Sequence, residues 1–385
     1  MSKTENMRVL IVGAGISGMT LAALLEHRPI NVMLIERAPN FDHAGYMLGL
    51  WPLGYRVLHG LSLYERFAAE CIPGNNYEVR DNHGELVRHW SMEPIAERFG
   101  PNLSCTRPQL IKLLHNHLGD ADLRFGTELE ALTQAGQEIE ATFSDGSHGT
   151  FDLVVGADGL HSRVRSLVFG EQPYFHTNWG GWVWWADLVT VPAETFVEHW
   201  GAGRFVGAYP TRDGAGIFAG APLGGDFERP GRGRRQRVLD RFTGMGSLVD
   251  AWLDAMPDDN TELFFWRLSD VRSAEWTRGR VVLLGDAAAA FLPTAGIGAS
   301  MAMESAAVLA GELSRTDVHF VKRALSLYVK RRRDRVERIQ DDSRRLARTM
   351  FVKSASIAHI RDLAMKFYSL ERLAGSIAKA FDQPI

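Results

Sequence analysis

The stretch from Met7 to Glu36 narrows the choice of fold more than any other. MRVLIV (Met7 to Val12) is a nearly continuous apolar run rich in branched residues, as in a parallel strand covered on both faces, and it passes directly into Gly13-Ala14-Gly15-Ile16-Ser17-Gly18. Strong helix formers follow from Met19 to Glu26, and a second apolar run, Asn31 to Ile35, ends in Glu36 and Arg37. Strand, G-x-G-x-x-G, helix, strand and acid in this order predict a βαβ unit built to bind a dinucleotide. Gly13 permits the tight turn, Gly15 lets the backbone approach a pyrophosphate, and Gly18 lets helix and strand pack closely. The helix start around Ser17 offers free N–H groups to the phosphates. Glu36 is placed to accept hydrogen bonds from an adenosine ribose, with Arg37 beside it. The unit alone does not choose between FAD and NAD.

The remaining bounds come from composition. A chain of 385 residues with 45% hydrophobic and 23% charged residues reads as soluble and globular, and its length favours two domains, one of them possible as an insertion into the other. A formal net charge of -3 gives no pull toward nucleic acid or an anionic membrane. Two cysteines, Cys71 and Cys105, make no disulfide framework or zinc spacing, which points to the cytoplasm and to no metal. The N-terminus shows no signal-peptide pattern, and Ala287 to Met303, the least polar stretch, is broken by Pro293, Gly296 and Gly298, so no stable membrane insertion is expected.

Two later motifs select the cofactor. The buried-strand pattern Phe151 to Val155 runs into Gly156-Ala157-Asp158-Gly159-Leu160-His161-Ser162-Arg163-Val164-Arg165, and Arg280 to Leu284 runs into Gly285-Asp286 and then AAAAFLPTAGIGASMAMES. GxGxxG, DGxxSxVR and GDA with PxxGxGA, in this order and spacing, resemble the single-component FAD-dependent monooxygenases. That family includes para-hydroxybenzoate hydroxylase, salicylate hydroxylase and the tetracycline-inactivating monooxygenases. The resemblance covers residues 7 to about 310. It implies that Gly285 and Asp286 meet the flavin ribityl chain, and that the loop Pro293 to Ala299, through Gly296 and Gly298, passes beside the isoalloxazine ring. It further implies that Asp158 and Gly159 support FAD binding and NAD(P)H use, and that Arg107 lies near the ribityl and pyrophosphate groups. Ala289, Ser300 and Ser305 stand where the family often has histidine, asparagine and aspartate, a divergence that points to the substrate.

The fold expected is α/β: a Rossmann-like FAD-binding domain in three parts (1-74, 100-174 and 277-320) with an inserted antiparallel β-sheet substrate domain (175-276, joined by a hairpin from 75-99) and C-terminal helices (321-385). Eight of ten tryptophans lie between Trp179 and Trp276, among partly alternating runs separated by Gly, Pro and Asp turns. Trp184, Tyr209, Phe218, Trp266 and Phe291 are candidate substrate contacts, and His176, Tyr209 and His199 candidate bases for a phenolic substrate. Glu228 to Arg241 reads as an exposed loop and helix start. Lys322 to Arg348 carries eleven Lys/Arg against four Asp/Glu, the pattern of a solvated helix face.

The resemblance implies that NADPH or NADH reduces FAD, that O₂ adds at flavin C4a, and that the hydroperoxide passes one oxygen atom to a small hydrophobic, aromatic or polycyclic substrate. No side-chain nucleophile is needed, because the cofactor carries the chemistry. Competing readings are a flavin-dependent halogenase, for which Trp182-Val183-Trp184 lacks the following Ile-Pro, a flavin dehydrogenase, and a non-catalytic flavin-binding protein. The oligomeric state is not legible.

Overall fold

The computed structural model describes residues 6–41, 45–119, 121–224, 233–258, 263–367 and 381. A six-stranded sheet forms its base, in the order Thr277–Arg278, Val281–Leu283, Leu153–Gly156, Met7–Val12, Ile30–Ile35 and Asp122–Arg124. All neighbours pair in parallel except the edge strand Thr277–Arg278. Val9, Leu10 and Ile11 are fully buried, as a strand covered on both faces requires. One cover is the helix Ile16–Leu25, which packs on the helix Gly298–Leu313, so the first and third motifs meet in space.

Two smaller sheets accompany this base. His148–Phe151, Glu138–Phe143 and Leu129–Ala135 form an antiparallel meander, which the sequence reading did not assign. Met47–Leu50, Leu103–Thr106 and Ile72–Pro73 form the other.

The second large sheet has seven strands, ordered Phe264–Val271, Tyr174–Ala186, Gly214–Pro222, Arg204–Thr211, Thr195–Gly201, Asn76–Arg80 and Leu86–Ser91. The hairpin from residues 76–91 joins it as expected, but Asn76–Arg80 runs parallel to Thr195–Gly201, so the sheet is mixed. Alternation gives it two differently covered faces. Trp182, Trp184, Val206, Ala208, Ile217 and Ala219 pack outward against the helices Arg234–Phe242 and Ser247–Asp254. Val183, Phe205, Tyr209, Phe218, Trp266 and Leu268 point the other way, into a cluster that includes Met47, Leu292 and the C-terminal residues Met350 and Phe351. Of the predicted arginine-rich stretch, residues 228–232 lie outside the described residues, and Arg234–Phe242 is helical.

The helix Val321–Met350 departs from its reading as a solvated basic face. Arg332 and Arg335 are buried against Glu304, at 2.6 and 2.9 Å, and Arg344 reaches the buried Asp270 at 2.6 Å. Gln340 donates to the backbone carbonyls of Val271 and Ala290. Three of its arginines therefore pair with interior acids, while residues such as Arg345 stay in water.

Candidate active site

The three glycines of the first motif serve different needs. Gly13 has φ +103°, and a Cβ there would lie 2.6 Å from the Ala157 carbonyl oxygen; at Gly18 it would lie 2.0 Å from the Gly13 oxygen. Both are demanded by the chain's own packing. At Gly15 the nearest atom to an added Cβ is the Arg107 Nη2, 3.8 Å away, so this glycine opens onto space bordered by a guanidinium. Ser17 is buried, and its Oγ would lie 2.7 Å from a Cβ at Gly285, which has φ +61°. Its side chain thus packs the first motif onto the third. Glu36 accepts from the Ala14 N–H at 2.9 Å and from the Ala38 N–H at 3.0 Å, which fixes it at the mouth of the glycine turn, and Arg37 beside it is exposed.

Asp158 has a structural duty. Its carboxylate accepts from the Ser162 hydroxyl at 2.6 Å and from the N–H groups of Arg163 and Val164 at 2.6 and 3.0 Å, capping the helix Arg163–Phe169. Burial raises its pKa, opposed by these hydrogen bonds. Gly159, at φ +77°, has open space where a Cβ would sit. The DG pair shapes the loop that touches Gly13, with the aspartate's oxygens turned inward to the helix.

Arg107 opens the helix Arg107–His115, whose start is fixed by reciprocal hydrogen bonds between Thr106 and Gln109. Its N–H donates to the Tyr46 carbonyl at 2.9 Å, and its guanidinium lies 6.0 Å from the centre of the Tyr46 ring. Asp286 completes this line of charge. Among the described residues nothing hydrogen-bonds its carboxylate, which reaches into a cleft lined by Trp276, Gly285, Ala289, Phe291 and Gly298. Asp286 as a residue is exposed to solvent, yet the protein packed around its carboxyl pushes the pKa up to about 6, and the positive charge of Arg107 pulls the other way.

Beyond the cleft, Pro293–Ala295 forms a short 3-10 turn, Gly296 takes the left-handed conformation at φ +56° with open space around it, and Gly298 and Ala299 begin a 16-residue helix. Pro293 is exposed, and Phe291 lies 3.6 Å from a Cβ built at Gly298. An open glycine beside a guanidinium, an unpartnered carboxylate and an open loop before a helix N-terminus suit an elongated group with an anionic middle, hydroxyls and a ring. The residues present fit FAD.

The aromatic candidates divide by face. Phe218 and Trp266 stack with ring centres 5.6 Å apart, in a space kept free by Gly181, where a Cβ would lie 2.6 Å from the Phe218 ring. Tyr46, which sequence reasoning missed because no periodicity marks its loop, lies 6.4 Å from Trp266 and links this stack to Arg107. Tyr209 shares the inner face with them. Trp184 does not: it is fully buried on the outer face and donates its Nε1–H to the Trp252 carbonyl at 2.8 Å, so it packs the sheet and touches no chamber. His199 is also on the outer side, edge-on to Trp252, and burial lowers its pKa to about 4. His176 is exposed and stacks on Tyr174. Neither histidine is placed as a substrate base. Glu198, absent from the sequence reading, lies on the inner face beneath Tyr209.

Comparison with known proteins follows this geometry. A family model described as an FAD binding domain matches residues 6–343. The chain belongs to this family. It is 29% identical over 376 residues to the 3-amino-4-hydroxybenzoate 2-monooxygenase of Streptomyces cremeus, covering 94% of this chain and 92% of the relative. It is 30% identical to an FAD-dependent urate hydroxylase of Mycolicibacterium vanbaalenii, over 79% of this chain and 78% of the relative. Klebsiella pneumoniae HpxO, solved with FAD and uric acid, shares the fold at a TM-score of 0.88 and 23% identity, covering 97% of this chain and 96% of that one. This family member is an oxidoreductase, an FAD-dependent monooxygenase with an α/β fold. Among the described residues, no helix is long and apolar enough to cross a membrane.

Proposed function

We propose that this FAD-dependent monooxygenase uses NADPH or NADH and O₂ to oxygenate a small hydrophobic substrate, aromatic or polycyclic, held between the flavin loop and the inner face of the seven-stranded sheet. The carrying observation is a chain of neighbours: Gly15 faces the Arg107 guanidinium, Arg107 acts on the charge of Asp286 and lies over the Tyr46 ring, and Tyr46 adjoins the stacked pair Phe218 and Trp266.

Bound FAD supplies the redox and oxygen-transfer chemistry. The chain's residues bind and orient. In this reading Gly13, Gly15, Ser17 and Gly18 shape the pyrophosphate turn, Glu36 and Arg37 lie at the adenosine end, and Arg107 offsets phosphate charge. Asp286 accepts from ribityl hydroxyls, with Gly285 giving it room. Asp158 and Gly159 hold the adjoining loop. Pro293 sets the turn, and Gly296, Gly298 and Ala299 bring backbone N–H groups and a helix N-terminus to the ring, where they favour negative charge. Phe218, Trp266, Tyr209 and Phe291 give an apolar, ring-shaped surface that excludes water.

The test is to purify the protein, identify its bound flavin, and follow NADH and NADPH oxidation in air with phenols, indoles and polycyclic aromatics. A compound that accelerates oxidation and gains one ¹⁸O atom from labelled O₂ is the expected result. Accelerated oxidation yielding a desaturated product without label would overturn it.

A further inference from the structure

Glu198 is a buried carboxylate held by neutral donors. Its Oε1 accepts from the Tyr209 hydroxyl at 2.6 Å, and its Oε2 accepts from the Tyr77 hydroxyl at 2.5 Å and the Trp200 Nε1–H at 2.7 Å. Among the described residues it forms no ion pair. Arg361, whose guanidinium lies 5.5 Å from the Trp200 ring centre, is paired with Asp362 at 2.7 Å. Removing an ionised carboxylate from water with no countercharge is expensive; burial accordingly raises the pKa of Glu198, and its three convergent donors oppose that rise and favour the anion.

The cluster borders the proposed substrate chamber by strand register. Glu198 pairs with Gly207, and Gly207 pairs with Phe218, so along this row of the inner face only a residue without a side chain separates the carboxylate from the aromatic stack. Tyr209 leans back into that gap, since a Cβ at Gly207 would lie 2.6 Å from its hydroxyl oxygen. One strand over, Met47 fills the space above Gly216. A ring lying against Phe218 and Trp266 therefore meets the Tyr209 hydroxyl before it meets Glu198.

Both tyrosine hydrogens are committed to the carboxylate. What remains on this edge is acceptor capacity: the lone pairs of the two phenol oxygens and one of the approximately four acceptor positions of a carboxylate. A group arriving here must donate a hydrogen bond, and an anionic group would meet a like charge in a medium of low dielectric. Building on the function proposed above, we infer that the Tyr209–Glu198 pair selects a substrate whose sheet-facing edge carries an N–H or O–H donor, neutral or cationic, and that it rejects carboxylated aromatics there.

The FAD-loaded enzyme is titrated with 2-naphthol, 2-methoxynaphthalene and 2-naphthoate, following the flavin absorbance. The three share a ring and differ in offering a donor, only an acceptor, or an anion. 2-Naphthol is expected to bind at least about tenfold more tightly than either of the others, the scale of a hydrogen bond to a charged group. Glu198→Gln and Tyr209→Phe should each erase most of that preference while FAD remains bound. Equal or tighter binding of the ether or the naphthoate, no binding of 2-naphthol, or a preference that survives in both variants would overturn the inference. The two proposals fail separately. Loss of NAD(P)H-dependent oxygenation with the ligand preference intact sinks only the proposed function, and oxygenation with an unchanged preference in both variants sinks only the selectivity.

Discussion

Glu304 and Glu198 are both buried carboxylates, and the molecule accommodates them in opposite ways. Glu304, in the helix Gly298–Leu313, is gripped by Arg332 and Arg335, and Arg332 also donates to the neighbouring Ser305 hydroxyl. Its charge is cancelled, and the group ties two helices together. Glu198 receives three neutral hydrogen bonds and no cation. Burial raises its pKa, these donors oppose the rise, and its remaining acceptor capacity lies on the inner face of the sheet. A paired buried acid is thus a fastening, whereas an acid held only by neutral donors leaves acceptor capacity for something from outside.

The largest expected effect tests the fastening. Glu304→Ala leaves two buried guanidinium groups without their partner and should cost about 3–5 kcal/mol of stability, read from the urea midpoint of the flavin-free protein. Glu198→Gln keeps the volume and some of the hydrogen bonds, so its cost should stay below about 2 kcal/mol. Equal losses in the two variants would break the contrast and make Glu198 another fastening.

Legibility in the sequence follows the same division. Nucleotide motifs were readable because local spacing dictates them: Gly13 and Gly18 are forced by contacts with Ala157 and with each other's turn, and Asp286 follows a buried strand after only Leu284 and Gly285. The inner face was readable only in part, Tyr209, Phe218 and Trp266 being named along with the misplaced Trp184, because it depends on long-range register. Trp184 and Trp266 look alike in sequence, yet the pleat sends the first to Trp252 and the second to Phe218. Glu198 gave no signal, since its partners Tyr77 and Tyr209 come from two other strands, one of them joined by a parallel pairing that hairpin logic does not anticipate. The basic helix was misread for a similar reason. Composition counts its arginines but cannot place Glu304 and Asp270 opposite them.

Next in size is the removal of the carboxylate proposed to receive the cofactor. Asp286→Ala should lower FAD affinity by about ten- to a hundredfold, the range of hydrogen bonds to a charged acceptor, measured by flavin fluorescence during dialysis. The flavin-free protein should be no less stable than the wild type, because nothing among the described residues relies on this carboxylate for a hydrogen bond. Wild-type FAD retention would remove Asp286 from the site.

The glycine pair separates packing from binding more finely. Gly18→Ala places a methyl group 2.0 Å from the Gly13 oxygen and should destabilise the flavin-free protein by about 1–3 kcal/mol. Gly15→Ala meets nothing nearer than Arg107 at 3.8 Å, so its melting should be close to that of the wild type while FAD binding weakens. If Gly15→Ala instead unfolds the protein and binds FAD normally once folded, the open space above Gly15 has no part in the nucleotide site.

The smallest effect is a pH dependence, and its sign differs between folding and binding. In the flavin-free protein the carboxyl of Asp286 has a pKa pushed up to about 6 by desolvation, above its unfolded value. Its contribution to stability is therefore complete below the unfolded pKa and is lost as pH rises through about 6. FAD binding runs the other way. If Asp286 receives the ribityl hydroxyls as proposed, they would donate to the anion, binding would expel the proton from any protonated Asp286, and affinity should fall by up to about tenfold for each pH unit below 6 while staying flat above it. Asp286→Asn should flatten that part of the profile. Glu198→Gln should leave it unchanged, because the three donors of Glu198 all lie on strands of the seven-stranded sheet. A profile flattened by Glu198→Gln and not by Asp286→Asn would reverse the two acids, placing the cofactor-linked charge in the sheet and leaving the flavin cleft without one.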